Sequence, residues 1–348
     1  MSENFILEAL PDWLVAPFLG MFTGLYAAVT APFLTLQRIS LVFLFTSAVL
    51  ALFSYLYYSK KDNRVTSIKG YFCFLVPKEI YLSNSTWVDL KVYLCNRLIY
   101  GAIAPVRVIL SSATFSYLTV SVLSGLIESP AFIEDGLYSV VLWTLFYLLI
   151  TDFAYFISHY ADHKIPFFWE MHALHHSAKT MTPLTLSRVH PATIFFSGLL
   201  RKAVNGSLQG VFLFFIFKEA TLYQIIGLSL GEWIFRTFAA NLRHSHIWLH
   251  YGYVLNHIFI SPAHHQIHHS ARMKHWGKNN GHALAIWDWM FGTLVVPTEE
   301  LRKNLVIGLS INEPDPHSSL KLAYLMPLQN MWTMAKKRLF PNKKQEQF

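Results

Sequence analysis

The feature that most constrains this chain is the run from Ile39 to Tyr58, which carries no charged side chain. A helix needs about 20 consecutive apolar residues to cross the hydrocarbon core of a bilayer. This run meets that length, and Lys60, Lys61 and Arg64 follow it at once. Val108 to Ile127 is a second uncharged stretch, and Gly136 to Thr151 a third, which Asp152 and Phe153 to Ser158 extend. Trp13 to Leu36 is also uncharged, but Pro17, Pro32 and its glycines make it a kinked or interfacial span. Ala192 to Phe217 and Ala220 to Phe235 are apolar but interrupted by Arg201, Lys202, Asn205, Gly206, Gly210, Glu232 and Arg236. They are read as a helical hairpin or re-entrant pair. Alternating patterns are short and these runs outlast any strand. The fold class is therefore all-α, a polytopic membrane protein of about four to six membrane-embedded helices.

Composition agrees. Hydrophobic residues make up 53% of the chain and charged residues 14%, where soluble domains average about 25% charge. Disorder and a collagen-like or disulfide scaffold are excluded: the chain is aromatic-rich, and Cys73 and Cys95 are its two cysteines. The net charge of +8 comes without a nucleic-acid motif, so no nucleic-acid partner is expected. Surplus Lys and Arg instead mark cytoplasmic loops. The connection from Glu128 to Asp135 has neither, and is placed outside. Ser59 to Arg107 holds eight, from Lys60 to Arg107, and is placed inside. The third span then returns to the cytoplasm near Ser158. The N-terminus lacks a basic region, and no cleavable signal peptide is expected.

All but one of the 17 histidines fall between His159 and His282, the last being His317. His159 and His163 form an HxxxH pair, and His172, His175 and His176 an HxxHH run. His265, His268 and His269 repeat HxxHH, and each run is followed by Ser-Ala and a base. Helix positions i, i+3 and i+4 are neighbours on the surface, so each run is read as one ligand face. Neutral imidazole suits Fe, Zn, Cu and Ni. These eight histidines exceed the four of a tetrahedral zinc and argue for two metals in a histidine-rich helical cap on the cytoplasmic side. His244 is the ninth candidate ligand, with His246, His250, His264 and His282 in reserve. His190, His257, His275 and His317 are left as non-ligands. Asp152 lies two helical turns before His159 and is expected to orient a ligand imidazole. Asn241 and Asp288 are candidates for the same supporting role.

Cys and carboxylate ligands are absent from the runs, which argues against an iron–sulfur cluster or a Glu-rich bundle site. No dinucleotide fingerprint or haem-attachment motif is visible, so electrons for redox chemistry are expected from a separate protein. A metal transporter would place ligands near the bilayer midplane, whereas these histidines follow the spans. A zinc-dependent membrane lipid hydrolase would carry a motif such as H-E-x-x-H, which is missing. Both alternatives, and a purely structural role, stay open.

HxxxH, HxxHH and a later HxxHH after transmembrane spans resemble the fatty acid hydroxylase / sterol desaturase superfamily of membrane di-iron enzymes, over roughly residues 137 to 297. Supporting pieces are Asp152, Pro183 to Pro191 with Arg188-Val189-His190-Pro191, Ser261-Pro262 and Trp287-Asp288 with Phe291-Gly292-Thr293. Pro77, Ser85 and Asp89 resemble the bacterial sterol-desaturase-like subgroup. Tyr160 replaces the usual Arg of the first box, Trp289 stands where Arg often follows Trp-Asp, and Asn279-Asn280-Gly281-His282 adds a histidine. The resemblance implies two irons at the cytoplasmic membrane face, O2 as co-substrate and a lipid or sterol-like substrate that is hydroxylated or desaturated. A bacterial inner membrane is favoured, with the endoplasmic reticulum open. The expected organisation is residues 1–135 as membrane helices and a cytoplasmic connecting segment, 136–297 as the catalytic domain, and 298–348 as a basic, partly disordered tail.

Overall fold

A computed structural model describes residues 12–33, 40–134, 136–217 and 241–339. The main helices in chain order are α1 (Asp12–Thr30), α2 (Leu41–Lys61), α3 (Asn84–Ala102), α4 (Ser112–Leu126) and α5 (Leu137–Lys164). They continue with α6 (Pro166–His176), α7 (Ser197–Phe215), α8 (Pro262–His268) and α9 (Leu320–Leu339). Among the described residues no strand longer than an isolated bridge occurs. Serines start several helices: the hydroxyls of Ser40, Ser83 and Ser111 accept from the amides of Phe43, Thr86 and Thr114. Each satisfies a backbone donor that the first turn leaves without a helical partner.

Among the described residues, three helices are long and apolar enough to cross a membrane: Val15–Phe33, Leu41–Lys61 and Leu137–Lys164. The kinked first stretch is thus one of them, with Pro17 inside α1. The longest helix in the stretch from Val108 is Ser112–Leu126, about 22 Å at 1.5 Å per residue, shorter than the roughly 30 Å core. Val108 and Ile109 end a short helix, Ala104–Ile109, and the cap at Ser111 starts the next, so the apolar run is divided between two helical pieces. Of the expected hairpin, the first arm is α7; Ala220 to Phe235 lies outside the described residues.

Two pairs of helices pack at backbone distance. A Cβ on Gly20 of α1 would sit 2.2 Å from the Gly101 carbonyl oxygen of α3. A Cβ on Gly206 of α7 would sit 2.1 Å from the Ser112 carbonyl oxygen of α4. Close helix approach through small residues is the usual packing mode where lipid removes the hydrophobic drive. Of the interruptions in the Ala192 stretch, Asn205, Gly206 and Gly210 therefore face neighbouring helices. Asn205 donates to Ser112 Oγ at 3.3 Å and accepts from Gln209 at 2.9 Å and from Thr151 at 3.3 Å.

Within the segment after Pro297, Leu320–Leu339 is helical. Its helix α9 packs against α6 and α3, and Val88, Val92, Leu174 and Ala323 share one small core. Tyr324 donates to Asn96 Oδ1 at 2.8 Å, and Asn330 to Glu170 at 2.8 Å. Lys343 and Lys344 lie outside the described residues.

Candidate metal centre

Helix α5 has 28 residues, about 42 Å of helix against a core of roughly 30 Å. It is thus about 12 Å longer than the core, and His159 and His163 lie in its last two turns. Pro166 then opens α6, where a missing amide hydrogen costs nothing at the first helical position. The chain folds back, so His172, His175 and His176 meet the end of α5. Helix α8 and the turn after Asn241–Arg243 close the cluster from the other side.

The nine histidines fall into two groups. His159, His163, His172, His176 and His268 form one, and His175, His244, His265 and His269 the other. Within each group the ligand atoms all lie within 4.8 Å of one another. Each HxxHH run divides, rather than serving one face. His172 and His176 go to the first group and His175 to the second, while His265 and His269 go to the second and His268 to the first. The reason is helical rotation: adjacent residues differ by about 100°, so positions i+3 and i+4 diverge. The two runs thus exchange one ligand each. The His176 and His269 rings stack across the boundary, with centroids 4.4 Å apart.

Nε2 atoms converge at short range. His172 meets His159 at 3.2 Å and His176 at 3.0 Å; His265 meets His244 at 2.9 Å and His269 at 3.2 Å. A single ring proton serves only one of two such neighbours, so lone pairs are left facing each other. His159 Nδ1 donates to the Asn280 carbonyl at 2.8 Å and His268 Nδ1 to the Lys278 carbonyl at 2.7 Å. A carbonyl only accepts, so these rings carry their proton on Nδ1 and present bare Nε2 inward. His163 Nε2 lies 3.3 Å from the bare Nε2 of His268. Burial holds His172, His176, His265, His268 and His269 well below the ordinary histidine range, and pushes His175 down to about 3. The rings are therefore neutral, the form that binds metal. Converging neutral imidazoles with opposed lone pairs fit two metal ions.

The expected supporting residues act one step further out. Asp152 bonds not to His159 but to residues 283–287: it accepts from the Ala283 amide at 2.6 Å, the Leu284 amide at 3.0 Å and Trp287 Nε1 at 2.9 Å. Asp288 accepts from the Asn280 and Gly281 amides at 2.8 and 2.7 Å, and from Thr293 Oγ1 at 2.5 Å. The two carboxylates grip one loop from both ends, and that loop's Asn280 carbonyl receives His159. Asn241 is buried at the start of its turn, three residues before His244. Asp162, within the first box, lies 3.8 Å from His172 Nδ1 and was not singled out by the sequence.

The reserve histidines lie outside both groups. His246 Nε2 donates to the Phe74 carbonyl, and His250 and His264 accept from the amides of Gly252 and Ser261 through Nδ1. His282 packs on Tyr155, centroids 4.3 Å apart. His190 is buried on the Tyr324 carbonyl and His275 on Ser270 Oγ, His317 is buried, and His257 bonds the Tyr253 carbonyl one turn back in its own short helix.

A cavity of about 470 Å3 reaches the centre, with His159, His172, His175 and His244 on its wall. That volume lies within the roughly 300–1,000 Å3 of ligand pockets.

Fold and site together define an all-α membrane protein with a paired histidine centre. Residues 144–293 match the model of the fatty acid hydroxylase family. It is 31% identical to the alkylglycerol monooxygenase of Caenorhabditis elegans over 172 residues, 49% of this chain and 30% of that protein. It is 28% identical to the ornithine lipid hydroxylase OlsE of Rhizobium tropici over 150 residues, 43% and 41%. It is 28% identical to a Delta(7)-sterol-C5(6)-desaturase of Nicotiana tabacum over 180 residues, 49% and 56%. The chain thus spans between about a third and a little over half of the length of these relatives, each named as a lipid monooxygenase, hydroxylase or desaturase. No solved structure matches it at comparable significance.

Proposed function

We propose that this chain is an integral membrane di-iron oxidoreductase that hydroxylates or desaturates an unactivated C–H bond of a lipid or sterol-like substrate. The observation that carries the proposal is the division of nine histidines into two converging groups. His159, His163, His172, His176 and His268 would hold one iron, and His175, His244, His265 and His269 the other. Bound there, the pair of irons supplies O2 activation with electrons from a separate protein. In the hydroxylation, O2, two electrons and two protons are consumed; one oxygen atom enters the C–H bond and the other leaves as water.

The chain's own residues do the rest. Burial keeps the imidazoles neutral. The Asn280 and Lys278 carbonyls fix the tautomers of His159 and His268. Asp152 and Asp288 hold the loop that carries Asn280 and act as positioning residues, with Asn241 setting the turn before His244. The cavity admits substrate beside both histidine groups. Residues 136–297 form the catalytic unit, preceded by the membrane helices of 1–135 and followed by the basic segment 298–348. The basic ends of α2 and α5, Lys60, Lys61 and Lys164, support a cytoplasmic metal site; a bacterial inner membrane is favoured, with the endoplasmic reticulum as the alternative.

Metal content per chain on anaerobically purified, detergent-solubilised protein tests this reading. About two irons are expected from paired histidine sites. Zinc alone after iron-supplemented expression, or no metal, would overturn it.

A further inference from the structure

The cavity has a second end that the histidines do not explain. Arg107, Arg201 and Lys202 also line it, brought together from the connection before α4 and the first turns of α7. Among the described residues no carboxylate lies within 4.0 Å of any of them. Asp162 is the acid on the described wall, and it sits beside His172. The Lys202 ammonium feels the charges of both Arg107 and Arg201. Like charges gathered in one place are unfavourable by themselves, and a cleft lined mainly by one sign focuses its field on ligands of the other.

The rim beside these cations is apolar. Val108 is 71% exposed and Phe195 47%, each next in sequence to a residue of the cavity wall, and Ile109, 66% exposed, follows Val108. Between the two ends stand aromatic rings. The Arg107 guanidinium lies 5.3 Å from the Tyr100 ring centre, and that of Arg201 lies 5.6 Å from the Tyr155 ring centre. The Tyr155 ring is in turn 5.6 Å from His159. A cationic mouth with an apolar rim and an aromatic passage suits an amphiphile.

We propose that the cavity binds a lipid with an oxyanion headgroup, phosphate or carboxylate, which Arg107, Arg201 and Lys202 hold while its chain lies along Tyr155 toward the histidines. Arginine forks pair with the oxygens of such groups through two parallel hydrogen bonds. An amphiphile anchored there brings the carbons near its headgroup to His159, rather than its chain end. The assignment rests on the lipid oxidoreductase reading above and names the substrate class for it.

The test compares decyl phosphate, decanol and inorganic phosphate as ligands of the full chain in a neutral detergent, read by intrinsic tryptophan fluorescence. Decyl phosphate is expected to bind at least about tenfold more tightly than decanol, equivalent to about 1.4 kcal/mol. Arg201→Gln with Lys202→Gln should abolish that preference and leave decanol affinity unchanged, which also reports intact folding. Arg201→Lys should keep most of it. Equal binding of decyl phosphate and decanol, or a preference that survives the double substitution, would overturn the headgroup assignment. Competition by inorganic phosphate as strong as that of decyl phosphate would overturn the lipid and leave a site for free anions. Iron content measured on the same samples separates the two readings: iron without phosphate preference sinks this inference alone, whereas preference without iron sinks the oxidoreductase reading and leaves the headgroup site standing.

Discussion

The Arg188 guanidinium donates through Nε to the Leu174 carbonyl at 3.0 Å, and so grips the helix turn that carries His175 and His176. The side chain is fully buried. It also pairs with Asp89 at 3.1 Å and Asp315 at 2.6 Å, and donates to Ser177 Oγ at 2.8 Å. Helix α3, the end of α6 and the segment before α9 therefore meet at one cation. Arg188→Met is expected to leave two carboxylates without their partner, at a cost of about 3–5 kcal/mol. A fall in the thermal unfolding midpoint checks this. Adding Asp89→Asn should recover part of the loss; strict additivity of the two changes would refute the coupling.

The division of the histidine runs makes metal loss selective. His175→Ala with His244→Ala removes two of the four ligands of one group and none of the other. Metal content is expected to fall from about two to about one ion per chain, with membrane insertion retained. His172→Ala with His268→Ala should do the same for the other group. Complete metal loss in both double variants would mean that the groups act as one site.

Asp288 reaches His159 only through the backbone of Asn280, so its removal should act on ligand orientation. Asp288→Ala is expected to weaken metal binding about 10–100-fold, as loss of outer support to a ligand imidazole does. Asp152→Asn should lower activity more than metal content, because it frees the far side of the same loop. Titration with a competing chelator measures the first effect. A lower unfolding midpoint with unchanged metal affinity would assign Asp288 a purely structural role.

Much of this architecture is legible in the sequence because it rests on side chains. Ile39 to Tyr58 is uncharged, and α2 lies within that stretch and its basic border. The histidine spacing marked the ligand candidates, but not the sorting of His175 and His268 into opposite groups, which depends on how α6 and α8 meet. The partners of His159 and His268 are main-chain carbonyls at 280 and 278, and a carbonyl leaves no trace in residue type. Arg188 stood out only as part of a short motif, since its partners Asp89 and Asp315 are far away in sequence. Asp162 had a local signal, a carboxylate inside the first histidine pair. The short α4 shows the opposite failure: an uncharged run was long enough to span, but a helix end at Ile109 and a serine cap at Ser111 divided it.

The contact of α1 with α3 leaves no room for a side chain. A Cβ on Gly101 would lie 1.9 Å from the Gly20 carbonyl oxygen, and that obstacle is backbone. Gly101→Val must push the helices apart, and overpacking of this kind costs about 1–3 kcal/mol. Because Arg97 and Tyr100 on α3 line the cavity, ligand binding should weaken along with stability. Gly125→Ala, where nothing lies within 4 Å of a new Cβ, serves as the control and should leave the unfolding midpoint unchanged.

Burial of His317, 4% exposed, lowers its ring to about 4, with the Arg188 charge adding to the effect and Asp315 opposing it. In the unfolded chain the same ring titrates near its ordinary value of about 6.5. Between these two values the unfolded state binds a proton that the folded state does not. Stability therefore rises with pH across that window and is lost as pH falls from about 6.5 toward 4. The full span corresponds to about 3 kcal/mol. His190, His264 and His275 are lowered in the same direction, so the slope belongs to several groups. His317→Gln should make the unfolding midpoint less sensitive to pH between about 4.5 and 6.5, by the share this ring contributes. The measurement is a series of thermal melts across that range for both proteins. Parallel curves would show that His317 takes up its proton equally in the folded and unfolded chain.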